Sequence, residues 1–254
     1  MRPLPFLCLV CAIVACLFIV GCLEDSGTQP TTPAPTSSPT PTMATPAPTT
    51  VTPAPTSTLP QSIPASQSDS GSGDTTLTLP LDEGTYLVAA RHDRQSPFTV
   101  QVWSREMYQD VIIHRGSTVY SGTQAMGIPE KGWYTMQITT GGPWTVTVKE
   151  PRTQGTVVLP YTFTGTGDWV SGTFDLAAGN YSFTMTNDGS GPFAVWLYSM
   201  DGEPVMDPTG TYVEPLHWHE GPYSGTETAV IEEDGTYLLN VKSSGKVIIE
   251  MKKA

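Results

Sequence analysis

The feature that most constrains this 254-residue chain is an internal repeat. GSGD at 71–74 returns as GTGD at 165–168. LPLDEGTY (79–86) aligns with FDLAAGNY (174–181), pairing Gly84 with Gly179 and Tyr86 with Tyr181. PFTVQVW (97–103) matches PFAVWLY (192–198) at the same offset of 95. The match resumes at an offset of 103, with SGTQAMGIPEKGWYTMQI (121–138) against SGTETAVIEEDGTYLLNV (224–241). It closes with GPWTVTV (142–148) against GKVIIEM (245–251). The second copy therefore has eight extra residues between Tyr198 and Ser224. PRTQG (151–155) links the copies, ahead of the extra apolar segment VVLPYTF (157–163). Self-similarity of this kind marks one folding unit used twice.

The periodicity inside each copy is two. Phe98, Val100 and Val102 alternate with Thr99, Gln101 and Trp103, the pattern of a strand with one buried face. Such runs recur every 8–12 residues between Gly, Pro and Asx-Gly turn signals, and no stretch has helical amphipathicity. The predicted fold is all-β: two tandem antiparallel β-sandwich (jelly-roll-like) modules, over 74–150 and 156–254. Each copy is long enough for a small core of its own, which favours two packed sandwiches over one double-length barrel.

Ahead of the repeat lie an anchor and a spacer. Arg2 precedes fifteen uncharged, mostly apolar residues, Phe6 to Val20. That is signal-peptide length and short of the roughly 20 residues of a spanning helix, although a count from Leu4 to Leu23 would reach it. The ending Ile19-Val20-Gly21-Cys22 resembles a prokaryotic lipobox, which implies a signal peptide over 1–21 and lipidation of Cys22; an uncleaved transmembrane anchor is the alternative. Either anchor places the remainder outside the cytoplasm. All four cysteines lie within the first 22 residues, so the repeats have no disulfide, CxxC pair or thiolate site. Residues 22–73 read as a disordered stalk. Thr28 to Pro60 hold twelve Thr and ten Pro in 33 residues without a charge, a composition that cannot pack a core. In polyproline-II form that tract reaches up to about 100 Å. It is compatible with an O-glycosylated stalk or a bare linker.

The consensus FDLAAGNYSFTMTNDGSGPFAVWLYSMDGEPV, followed by GTYLLNVKSSGKVIIEM, resembles β-sandwich modules of microbial secreted and surface proteins, of which the pre-peptidase C-terminal domain is the best known. With the lipobox and stalk, the whole is similar to prokaryotic surface lipoproteins, those of archaea included. The resemblance implies an accessory, non-catalytic module. The chain departs from that type in its central strand, Phe193 to Tyr198, which has no acidic residue.

Several residues are candidates for binding. His217 and His219 lie two apart, on one face if 215–221 is a strand, and imidazole is a common zinc or copper ligand; Glu214 or Glu220 could add a carboxylate. This stretch belongs to the insertion unique to the second copy. Trp196 and Tyr198 alternate with core positions, and Trp103 stands at the Tyr198 position of the first copy. These rings either stack on sugars or pack between the sandwiches. Trp133 and Trp144, at strand starts, read as core. The acidic turns Asn187-Asp188-Gly189, Asp201-Gly202 and Asp207 offer calcium-type oxygens without a recognised calcium-loop spacing. Asn180-Tyr181-Ser182 is an N-glycosylation sequon at Asn180.

No GxSxG, HExxH, P-loop or strand-to-helix GxGxxG occurs, so nothing nominates a catalytic group. The formal charge is −12, or −13 once Arg2 leaves with the signal segment. That balance argues against nucleic acid, whose phosphates need clustered Lys and Arg. The expected function is a membrane-anchored, non-enzymatic head that binds envelope glycan or a surface protein. A metal-ion or small-solute receptor using His217 and His219, and a passive envelope component, are the alternatives.

Overall fold

The computed structural model describes residues 63–104, 109–152, 156–202 and 215–254. Cys22, the Thr/Pro tract, Asp207 and Glu214 lie outside them. The described chain contains strands and turns and no helix.

The first sandwich comprises β1 (Ser66–Ser72), β2 (Thr75–Leu81), β3 (Gly84–His92), β4 (Phe98–Ser104), β5 (Gln109–Arg115), β6 (Tyr120–Ile128), β7 (Gly132–Thr140) and β8 (Pro143–Lys149). The second comprises β9 (Tyr161–Thr166), β10 (Trp169–Val170), β11 (Phe174–Leu176), β12 (Gly179–Asn187), β13 (Pro192–Ser199), β14 (His217–Glu220), β15 (Tyr223–Ile231), β16 (Gly235–Lys242) and β17 (Lys246–Lys253). Sheet β1-β8-β3-β6 faces sheet β2-β7-β4-β5, and sheet β9-β17-β12-β15 faces sheet β10-β16-β13-β14, with β11 also on β16. Strand for strand the order is the same, so the sequence repeat is a repeat of topology. Each sandwich buries its own cluster, Phe98, Val100, Met126, Met136 and Ile138 in the first, Phe174, Phe183, Phe193, Val195 and Ile249 in the second.

One boundary moves. Residues 66–72, assigned to the stalk by composition, form β1, paired with β8 from Ser66↔Lys149 to Ser72↔Pro143. An edge strand can hold by backbone hydrogen bonds on one side, so it needs no apolar alternation to form.

Four Gly-x-Tyr triplets, at 84–86, 132–134, 179–181 and 235–237, each start a strand and brace the turn before it. The hydroxyls of Tyr134, Tyr181 and Tyr237 donate to the carbonyls of Glu130 (2.7 Å), Ala177 (2.9 Å) and Glu233 (2.9 Å), and Tyr86 accepts the Asp82 N–H at 3.1 Å. All four reach back four residues, in the manner of a tyrosine corner. Gly84 and Gly179 have φ of 127° and 144°, a region that a side chain would strain.

The sandwiches meet at the free edge of β6. Thr123 N–H donates to Asp168 O (3.1 Å), Ala125 N–H to Asn240 Oδ1 (3.1 Å), and Gln124 Nε2 to Val241 O (2.9 Å). Thr85 adds its hydroxyl to Ser199 O at 2.7 Å. Between these bonds Leu87, Ala125 and Leu238 form a buried apolar contact margined by Val170, Tyr198 and Met200. The Gly202 backbone stands where any side chain at Gly127 would have to go. At the centre is the Asp168 carboxylate, 2% exposed, ion-paired with Arg115, accepting the Tyr120 hydroxyl at 3.0 Å and the Ser243 N–H at 3.1 Å. Burial, then the neighbouring Asp168 charge, pushes the Tyr120 phenol far above its ordinary range. Burial, with Arg115 nearby, draws Lys242 below its own.

Two outcomes follow from this junction. Asp168→Ala strands Arg115 and costs about 3–5 kcal/mol, and calorimetry should show one cooperative transition becoming two. Above pH ~10 the unfolded phenol ionises while Tyr120 does not, so stability falls as pH rises. Denaturation series with Tyr120→Phe should show a shallower alkaline loss than the parent.

Candidate functional site

The same sheet face occurs in both sandwiches and is used differently. On the first, the outward positions of β2, β7 and β4 align in rows across the strands: Thr76–Gln137–Gln101, then Thr78–Thr135–Trp103, then Pro80–Trp133. Thr139, Thr99 and His114 complete the sheet toward β5. Strands stand about 4.8 Å apart, so this is a regular array of hydroxyls and amides bordered by two indoles. Thr76 and Thr78 are exposed, and Gln101, Trp103, Trp133 and Gln137 are half-exposed.

On the second sandwich the repeat-equivalent rows read Val170–Asn240–Trp196 and Leu238–Tyr198. Here the face is covered and, apart from the buried Asn240, apolar: Leu238 is fully buried, and Val170 and Tyr198 pack at the junction. Tyr198, a candidate ligand-stacking ring by its alternation, is thus an interdomain packing residue. Trp196 is half-buried beside Asn240. Trp103 alone of the three lies on the uncovered face. Trp133 corrects the expectation of a core residue: it pairs with Pro80 on that outer face and is half-buried, its indole N–H shut off from solvent and without a hydrogen-bond partner. Trp144 is core as expected, its Nε1 donating to Gly73 O at 3.0 Å.

His217 and His219 do share one strand face, their rings 6.2 Å apart. His217 is turned inward, 3.8 Å from the Tyr223 ring and 5.3 Å from Phe193. Its Nδ1 lies 2.9 Å from Glu227 Oε1, which also accepts the Tyr223 hydroxyl at 3.1 Å, while Nε2 is buried without a partner. Gly225, between Tyr223 and Glu227 on β15, leaves the room that the tyrosine hydroxyl occupies. Burial first, then Glu227, raises the Tyr223 phenol above its usual value. In register His217 occupies the place of Ile113, opposite Val195 as Ile113 is opposite Val100. It is a core position bearing an imidazole. Among the described residues no group of three or more His, Cys, Asp or Glu is placed to hold a metal ion.

The acidic turn at 187–189 is occupied by backbone work. Asn187 bonds Gly189, Gly221 and Ser243, and Asp188 accepts the Lys246 N–H at 2.6 Å. His92 and His114 stand apart from the other pair: His92 is wholly buried against Pro143 O and Ser96, and His114 is exposed beside Thr99. Asn180 is exposed at the start of β12.

No protein-family model matches the chain, and no curated protein does. Among solved structures it is similar to the PBSX exported protein XepA, at 9% identity over 73% of this chain and 85% of that chain, with a TM-score of 0.24. It is also similar to the M60 catalytic domain with two CBM51 domains from Clostridium perfringens ZmpB (6% identity, 73% and 34% covered, TM-score 0.23). A third is the CBM22-1–CBM22-2 tandem of Paenibacillus barcinonensis Xyn10C, at 4% identity, 75% and 93% covered, and a TM-score of 0.22. Likeness at this level carries no argument about function.

Because His217 fills a core position with a buried unpaired nitrogen, His217→Leu should leave the melting temperature unchanged or raise it. Thermal melts with and without added zinc check this; a drop confined to the zinc-loaded protein would mark a ligand instead.

Proposed function

We propose that the chain is an extracytoplasmic, membrane-anchored binding protein, held by Cys22 and its stalk, whose uncovered face on the first sandwich engages envelope glycan. The single observation carrying this reading is the contrast between the two equivalent faces. Where the face is buried, its outward residues are Val170, Leu238 and Tyr198; where it is open, they are Thr76, Thr135 and Trp103. Evenly spaced hydroxyls and amides match the hydroxyls of a sugar chain. The indole faces of Trp103 and Trp133 match the apolar C–H faces of its rings. Neutral donors and acceptors on an acidic protein also suit an uncharged ligand better than an anionic one. The head acts by binding rather than by chemistry, and Trp196 serves the junction side rather than the ligand.

Co-sedimentation of the full chain with isolated cell envelope tests the reading, with and without EDTA. The expected result is saturable binding that EDTA leaves unchanged and that Trp103→Ala weakens about tenfold, or ~1.4 kcal/mol. Binding abolished by EDTA would contradict it in favour of a metal-dependent receptor at His217 and His219. Binding lost on protease treatment of the envelope would indicate a surface protein as target. No binding in any condition would leave a passive structural role.

A further inference from the structure

The sandwiches also differ along the side where β1 and β2 part. These strands end opposite sheets of the first sandwich, so the gap between them opens into the space between the sheets. In the second sandwich the equivalent side is filled by rings. Tyr161 and Phe163 project inward from β9 with centroids 4.8 Å apart, and Phe163 lies 5.1 Å from Phe174. The repeat puts Gln67, Asp69 and Leu79 at those three places. The registers agree: Gln67 faces Val148 and Asp69 faces Val146, as Tyr161 faces Met251 and Phe163 faces Ile249. Loss of three rings leaves a cleft of about 370 Å³ between β1 and β2, floored by Leu77, Leu79, Val146 and Val148. That is within the range of small-molecule sites. Core-facing positions of one copy carry aromatics and those of the other an amide and a carboxylate over an aliphatic floor.

We propose that this cleft binds a single hexose-sized sugar ring, the end unit of a glycan lying on the Trp103 face; the inference rests on the glycan reading above. The leucine and valine floor suits the C–H face of a pyranose. The Asp69 carboxylate has no ion pair among the described residues, and its Oδ1 accepts the Ser70 N–H at 2.7 Å. It has lone pairs remaining for two sugar hydroxyls. Gln67 Nε2 donates to Pro80 O at 3.0 Å across the mouth, which fixes the amide and leaves its oxygen as an acceptor. Thr76 and Thr78 line the cleft and also stand in the rows of the outer face. A chain leaving the cleft therefore passes directly onto that face. An acidic sugar is disfavoured by Asp69.

Calorimetric titration of the full chain with the methyl pyranosides of glucose, galactose, mannose and N-acetylglucosamine tests the cleft. Alongside it, retention of the chain on soluble envelope polysaccharide tests the face. The expected result is binding of at least one glycoside, weakened at least about tenfold by Gln67→Tyr/Asp69→Phe, which installs the second sandwich's own residues. Asp69→Ala, at an exposed position that need not fold a core, should weaken it similarly. Polysaccharide retention with no glycoside bound overturns the cleft and leaves the face standing, as does equal glycoside binding by parent and both variants. Failure of both polysaccharide and glycosides overturns the glycan reading and the cleft with it.

Discussion

The carboxylate of Asp168 is the point on which the arrangement turns. It belongs to a turn that both copies share, since Asp74 caps the Thr140 N–H at 2.8 Å as Asp168 caps that of Ser243. Only Asp168 is also met from the neighbouring sandwich, by Arg115 and Tyr120. A carboxylate that buried is tolerable only because several donors converge on it. Its position fixes β10 against β6, covers an edge strand that would otherwise invite pairing, and turns one sheet face of the second sandwich toward the first. The matching face of the first sandwich is left open, and it is the face proposed to bind glycan.

The junction is not repeated outward. On the second sandwich the residues equivalent to Gly127, Gln124 and Leu87 are Val230, Glu227 and Ser182. A side chain at 230 occupies the space that the Gly202 backbone needs in the first junction, a carboxylate at 227 would face a carbonyl where Gln124 donates, and a hydroxyl replaces the apolar centre. These changes remove from β15 the contacts that β6 uses at the junction.

The repeat and its period of two make the sandwiches legible in the sequence, because buried strand faces impose their alternation on it. β1 was not legible, since its pairing with β8 is a backbone matter and its inward residues, Gln67 and Asp69, border a cleft rather than a core. Alternation alone also could not separate Trp103 from Tyr198, because an outward residue looks the same whether the face is open or covered. The signal lies in the neighbours across the strands: Thr78 and Thr135 in the row of Trp103, Leu238 opposite Tyr198. His217 reads as a metal ligand rather than a core residue in the sequence because the eight-residue insertion hides its register with Ile113.

The most direct test of the central claim is the indole N–H spectrum of the six tryptophans as soluble envelope glycan is added. A glycan on the open face should shift the Trp103 and Trp133 signals together and saturably, while those of Trp144 and Trp169 stay in place. Shifts confined to Trp196 or Trp218, or none at any glycan concentration, would contradict that claim.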